Sequence, residues 1–187
     1  SEGGMKGIVF TEFLEMAEER FSLSMVDAVL ERVAPASGGI YTAVGTYPAE
    51  ELVGLLMELS KQTSLPPATL LKDFGGHLLR RFAQTQPEFF AGARSSLEFL
   101  QSVEDHIHVE VRKLYPDAEL PSFECQSEGE DELVMTYRSP RGLADLAEGL
   151  MAECALHYGE RVSITREDLS AGKGQHVRFR LHRQSQP

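Results

Sequence analysis

The chain is short of several things, and each shortage removes a class of explanation. Its 187 residues include two cysteines, Cys125 and Cys154. They form neither a CxxC pair nor part of a Cys/His quartet, which excludes a disulfide framework and a zinc-finger site. Cys125 follows a strand pattern with Phe123, and Cys154 falls on a helical stripe with Leu150 and Met151, so both are expected to be small core residues. Positive charge is scarce too: 18 Lys and Arg stand against 29 Asp and Glu, a formal net charge of −11. Binding to a phosphate backbone needs clustered cations, so nucleic acid is not an expected partner. The late run Arg178, Arg180, Arg183 is interleaved with Val177, Phe179 and Leu181 and reads as the wet face of a strand. No apolar run is long enough to span a bilayer, and Ser1-Glu2-Gly3-Gly4 before Met5 reads as an expression remnant instead of a signal peptide. The expectation is a soluble cytoplasmic protein with no membrane partner. Nucleophile elbow, phosphate loop and HExxH are all missing, so an enzyme is not expected.

What is present is an ordinary core-forming composition, 42% hydrophobic and 25% charged, enough for one domain or one domain of two lobes. Helical patterns come first. Val9, Phe10, Phe13, Leu14 and Met16 stripe a first helix running from Met5. Met25, Val26, Val29, Leu30 and Val33 stripe a second, capped by Ser22 or Ser24 and closed by Pro35 and Ser37-Gly38-Gly39. Ile40 to Thr46 reads as an extended link. Pro48, Glu50 and Glu51 open a third helix that continues to about Gln62. Leu65-Pro66-Pro67 precedes a fourth, whose Gly75-Gly76 pair costs roughly 1 kcal/mol per glycine relative to alanine. Either another body approaches closely there or the helix kinks or breaks. After Pro121 the period becomes two: Phe123 and Cys125 on one strand, Leu133, Met135 and Tyr137 on the return. A helix opening at Ser139-Pro140 carries Leu143, Leu146, Ala147, Leu150, Met151 and Cys154 and ends at Gly159. Val162 with Ile164, and Val177 with Phe179 and Leu181, mark two further strands. The expected class is α+β, a helical lobe followed by a four-stranded antiparallel sheet with helices.

The stretch Leu97 to Pro121 is the most informative. Leu97, Leu100, Val103, Ile107, Val111 and Leu114 follow the spacing of an amphipathic helix. At about 100° per residue, His106 shares a side with Ser102, Glu110 and Lys113 and faces solvent, whereas His108 lines up with Leu97, Val111 and Tyr115. An inward imidazole is either a core histidine bonded to a carbonyl or a ligand for a metal or an iron cofactor. Downstream, Tyr137-Arg138-Ser139-Pro140-Arg141 places Tyr, Ser and Arg at alternate positions. If the backbone stays extended through Ser139, the three share one side and suit a pair of carboxylates. The plain alternative makes Ser139 a helix cap, Arg141 a surface charge and Tyr137 a core residue.

Met5-Lys6-Gly7-Ile8-Val9, His108 with Val-Glu-Val-Arg-Lys-Leu-Tyr after it, Pro121 thirteen residues beyond that histidine, and Tyr-x-Ser-x-Arg before a helix together resemble the H-NOX family. These are haem domains that sense nitric oxide or oxygen and are related to the haem domain of soluble guanylate cyclase; the resemblance is to the stand-alone bacterial type. It spans the chain from Met5, and implies one domain over 5–187, with a helical distal lobe over about 5–65, a proximal lobe over about 66–187 and haem between them.

By that resemblance the cofactor is haem b, His108 is the axial ligand of its iron, Tyr137, Ser139 and Arg141 hold the two propionates, and Pro121 presses on the porphyrin. Val9, Phe13, Leu78, Phe82 and Leu146 align with the distal wall. Oxygen-binding members carry a donor tyrosine five residues beyond the motif arginine, where this chain has Leu146. The implied function is therefore a ferrous haem sensor that binds nitric oxide and carbon monoxide and excludes O₂. It would signal through release of His108 to a separate histidine kinase or cyclic-di-GMP enzyme. The cysteine-rich site some relatives carry is not expected, since Thr165 to Val177 holds no cysteine and only His176. The competing expectations are an O₂-binding sensor of the same type, or an adaptor without haem in which His108 is a core residue.

Overall fold

The computed structural model describes residues 4–185; the expected remnant, apart from Gly4, lies outside them. The class is α+β, as the change of period predicts, and the chain divides into two compact units. One runs to Leu70 and includes Tyr115–Glu119, and the other comprises Leu71–Leu114 and the chain from Leu120 onward.

The first unit holds β1 (Met5–Lys6), α1 (Gly7–Arg20), α2 (Leu23–Val33), β2 (Thr46–Tyr47), α3 (Ala49–Thr63) and the first residues of α4 (Pro67–Thr85). α1 begins at Gly7 and not at Met5, because Met5 and Lys6 are drawn into antiparallel pairing with Tyr47 and Thr46. The segment expected as an extended link is consequently a loop ending in a two-residue strand. Of the two serines, Ser22 caps α2, its Oγ accepting the Met25 N–H at 3.1 Å. Ala34, in the left-handed region at φ 46°, ends that helix. Pro48 stands one residue before α3, with Glu50 and Glu51 in its first turn, where carboxylates suit the helix dipole. Phe10, Phe13, Met16, Val29, Leu52, Leu55 and Leu59 are buried, the inward sides of helices whose spacing announced them.

The second unit is built on an antiparallel sheet of β3 (Ser122–Ser127), β4 (Glu132–Arg138), β5 (Val162–Asp168) and β6 (His176–Arg183), in the order β3-β4-β6-β5. Leu133, Met135 and Tyr137 oppose Leu181, Phe179 and Val177 across β4 and β6. This face forms one apolar cluster with Leu97, Leu100, Ala147, Met151 and Cys154 from α6 (Ser96–Gln101) and α8 (Ala144–His157). Arg178 and Arg180 lie on the wet face as expected, but Arg183 has the parity of the core residues and at the strand end meets Glu160 at 2.8 Å and Asp131 at 3.0 Å. Cys154 is fully buried, whereas Cys125 is exposed. The reason is its place near the end of edge strand β3, although its Sγ still lies 3.9 Å from Leu100 O. The aromatic connector Pro87–Gly92 contains the short helix α5 (Glu88–Ala91).

Gly75 and Gly76 do not break α4. A Cβ on Gly75 would stand 2.3 Å from Leu146 O, and one on Gly149 of α8 would stand 2.1 Å from Lys72 O. The two helices touch backbone to backbone through these glycines, which is the close approach that justifies their helical cost.

Candidate functional site

The long helix expected over Leu97 to Leu114 is in three pieces. α6 ends at Gln101, Val103–Ile107 form a π-helical turn, and α7 (His108–Leu114) starts at the histidine itself. Within that turn Ile107 N–H reaches Ser102 O at 3.2 Å, and the His108 N–H reaches back five residues to Val103 O. A π turn holds one residue more than an α turn, so the apolar stripe shifts across it. Leu97, Leu100 and Ile107 remain buried, but Leu114, expected on the inner side, is 51% exposed.

His108 emerges from this turn on the inner side, 8% exposed, while His106 is exposed as its flank predicts. The imidazole of His108 packs at 5.9 Å from the ring of Phe123, which in turn lies 5.6 Å from the ring of Tyr137. Its Nδ1 is buried and has no hydrogen-bond partner among the described residues; the Glu104 carboxylate is 3.5 Å away, outside hydrogen-bond geometry. Burial pulls the imidazole below its usual range, Glu104 opposes that shift and Arg112 adds to it. The net direction favours the neutral form, which is the form that ligates metals.

Pro121 immediately precedes β3, two residues before Phe123, and is half-buried. Tyr137 is 2% exposed at the end of β4. Its hydroxyl accepts the Leu143 N–H at 3.1 Å. Burial pushes the phenol upward in pKa against the Ser139 hydroxyl and that N–H, so it keeps its proton. Ser139 continues the ladder by one bond, its N–H meeting Gln175 O at 2.9 Å. A turn through Pro140, Arg141 and Gly142 follows, with Gly142 at φ 68°. Ser139 therefore does not cap α8, which starts at Ala144; its Oγ instead accepts the Arg141 N–H at 3.1 Å. Each hydroxyl oxygen accepts a backbone N–H, and the Ser139 hydroxyl also donates to the Tyr137 oxygen, so the two form one linked pair. With the Arg141 guanidinium nearby in sequence, that donor set suits carboxylates.

The five apolar residues expected in a distal wall lie on three helices. Val9 and Phe13 are one turn apart on α1, Leu78 and Phe82 one turn apart on α4, and Leu146 lies in the first turn of α8. Phe13 is buried and the other four are half-buried. Sequence reasoning passed over Glu104 and Phe123, whose signal was their spacing: one turn before His108 and two residues after Pro121. It also passed over His77, 3% exposed on α4, which sits between two residues of an obvious stripe. Although Cys125 is exposed as a residue, its thiol beside Leu100 O is shielded from water and is pushed up to about 11, with Glu104 and Asp105 adding to the shift. Burial also raises that of Cys154, so neither is a ready thiolate.

A buried imidazole flanked by Glu104, with two hydroxyls at the end of β4 and just beyond it, is a donor set chemically compatible with haem. Comparison with known proteins agrees. The chain is similar to the Fe(II) unliganded H-NOX protein from K. algicida at 37% identity over 97% of this chain and 98% of that one, with a TM-score of 0.91. It is similar to the IWP-051-bound H-NOX from Shewanella woodyi in the Fe(II)CO state at 37% identity over 96% and 95%, TM-score 0.81. To the S. oneidensis protein in the Fe(II)NO state it is 25% identical over 97% and 100%, TM-score 0.88. Among curated proteins none matches. Since the haem-NO-binding family model matches residues 6–166, more than four-fifths of the chain, this protein belongs to the H-NOX family of haem-binding gas-sensor domains.

Proposed function

We propose that the chain carries haem b with His108 as axial ligand, binds nitric oxide and carbon monoxide at ferrous iron, excludes O₂, and reports nitric oxide to a separate effector through release of His108. The observation that carries this reading is the burial of the His108 imidazole, 8% exposed on the inner side of the helix with Glu104 flanking its Nδ1 at 3.5 Å. When bound, haem would supply an iron that His108 holds and that takes up a diatomic gas.

The chain's own residues do the rest. Tyr137 and Ser139 donate hydroxyl protons, and Arg141 a guanidinium fork, to the propionates, offsetting the cost of burying two carboxylates. Pro121 presses on the ring and Phe123 braces the imidazole. Val9, Phe13, Leu78, Phe82 and Leu146 offer the bound gas no hydrogen-bond donor. A polarised O₂ adduct depends on a donor, and nitric oxide does not. The relatives include one solved with nitric oxide and one with carbon monoxide, which supports those two ligands. Release of His108 would leave the start of α7 less firmly held, and a two-state change there would be the signal to a histidine kinase or cyclic-di-GMP enzyme.

A visible spectrum of the purified, reduced protein tests the reading. Expected are a haem Soret band, shifts with carbon monoxide and nitric oxide, and no stable oxy form in air. A colourless chain that refuses reconstitution would favour the adaptor; a stable oxy spectrum would favour the oxygen sensor.

A further inference from the structure

The segment from Ile40 to Tyr47 is strapped onto the start of α1. Gly7 and Ile8 donate their N–H groups to Gly45 O at 2.8 Å and Ala43 O at 3.0 Å, satisfying two of the donors a helix start leaves over. Lys6 Nζ donates to Val44 O at 2.8 Å and to Thr46 Oγ1 at 3.0 Å. The approach is tight enough that a Cβ on Gly7 would stand 1.7 Å from Thr42 O. Phe10 of α1 stacks on Tyr41 with ring centroids 4.4 Å apart and meets Tyr47 edge-on at 5.6 Å. The Tyr47 hydroxyl closes the strap on itself by accepting the Thr42 N–H at 2.8 Å. Glu51 of α3 anchors the upstream end, accepting the Ser37 N–H at 2.9 Å and the Tyr41 hydroxyl at 3.3 Å.

A connection between two helices needs none of this. The backbone bonds at Gly7 and Ile8 fix α1 along its axis, and the rings on Phe10 fix its rotation, since each residue is set about 100° from the next. Val9 is the neighbour of Phe10, and Phe13 lies one turn on. We infer that the strap is a positioning device for the gas-facing side of α1, with Tyr47 as its latch. It sets where Val9 and Phe13 stand, and thereby how fast a diatomic ligand enters and leaves. This rests on the haem-sensor reading above.

Tyr47→Phe keeps the ring and removes the oxygen that accepts the Thr42 N–H. In the full chain loaded with haem, carbon monoxide association and release are measured beside amide hydrogen exchange at Gly7 and Ile8. Expected are exchange at least tenfold faster at both amides, carbon monoxide rates changed at least threefold, and an unliganded ferrous spectrum like that of the wild type. Gly7→Ala should act in the same direction and more strongly; if it does not fold, Tyr47→Phe carries the test alone. A Tyr47→Phe protein that melts earlier but keeps wild-type carbon monoxide rates makes the strap a mere brace and overturns the inference. Unchanged exchange at both amides overturns it as well. Failure of the sensor reading itself shows separately, as a wild-type chain that takes up no haem, and the inference falls with it.

Discussion

Glu104 accepts the backbone N–H of Phe123 at 2.8 Å through the same oxygen that faces His108 Nδ1 at 3.5 Å. One carboxylate thus ties the π turn to the first residues of β3 and flanks the imidazole. Glu104→Ala leaves the Phe123 N–H without its partner in a half-buried place, a loss of about 1–3 kcal/mol. For a chain of this length that corresponds to a melting point lowered by roughly 2–12 °C. Calorimetry checks it, with Glu110→Ala on the exposed side of α7 as a control expected to change little.

His108→Gly should abolish haem retention or leave the haem displaced, and added imidazole should restore a five-coordinate ferrous spectrum. His106→Gly, at an exposed position, should keep the wild-type spectrum. Equal spectra for both variants and the wild type would remove His108 as the ligand.

Leu146→Tyr adds a hydroxyl at a position assigned, in the proposed function, to an apolar distal wall. A hydrogen bond to a polarised adduct contributes about 1.5–3 kcal/mol, so O₂ affinity should rise by roughly tenfold or more. Oxygen titration of the ferrous protein is the measurement; nitric oxide binding should be far less affected.

Neighbouring glycines of α4 should respond in opposite directions. Gly75→Ala drives a methyl into Leu146 O and should destabilise by about 1–3 kcal/mol as the helices are forced apart. At Gly76 the nearest atoms are the flexible ends of Arg80 at 3.2 Å and Glu153 at 3.4 Å. Gly76→Ala should therefore gain up to about 1 kcal/mol of helix propensity. Denaturant melts of the two variants distinguish the close-approach account from a general need for flexibility there, which would make both destabilising.

Glu160 staples distant segments of the second unit, accepting the Ser96 N–H at 2.7 Å and the Arg183 guanidinium at 2.8 Å. Burial pushes its carboxyl upward in pKa, but the Ser96 N–H and Arg183 outweigh it, so the folded value lies below the ordinary 4.5. A depressed carboxyl contributes stability that is fully present above the unfolded value and is lost as pH falls through the folded one. Glu160→Gln should therefore cost stability at neutral pH and flatten the acid side of the stability curve below about pH 4.5. An unchanged acid limb would deny the staple its role.

Much of this was readable in advance because it depends on local periodicity. The helical stripes of α1 to α3, the alternation of Leu133, Met135 and Tyr137, and the inward placing of His108 all follow from the side a residue faces. What escaped depends on partners far along the chain. Met5 and Lys6 joined a strand because Tyr47 and Thr46 were there to pair with them. Ser139 and Pro140 lead into a turn and not directly into a helix, since Ser139 still bonds to Gln175. Cys125 alternates correctly with Phe123, yet is exposed because its strand forms the edge of the sheet. No pattern of period 3.6 could show the π turn, which changes the period itself.

That turn has an arithmetic consequence. Val103 to Ile107 contain one amino acid more than an ordinary coil of helix would use, so the facing of everything downstream depends on a count and not on chemistry. Removing one residue there would leave hydropathy and charge almost as they are, yet swing residue 108 by roughly 100° around the axis. The length of this short segment is thus as much a determinant of the proposed iron site as the imidazole it presents.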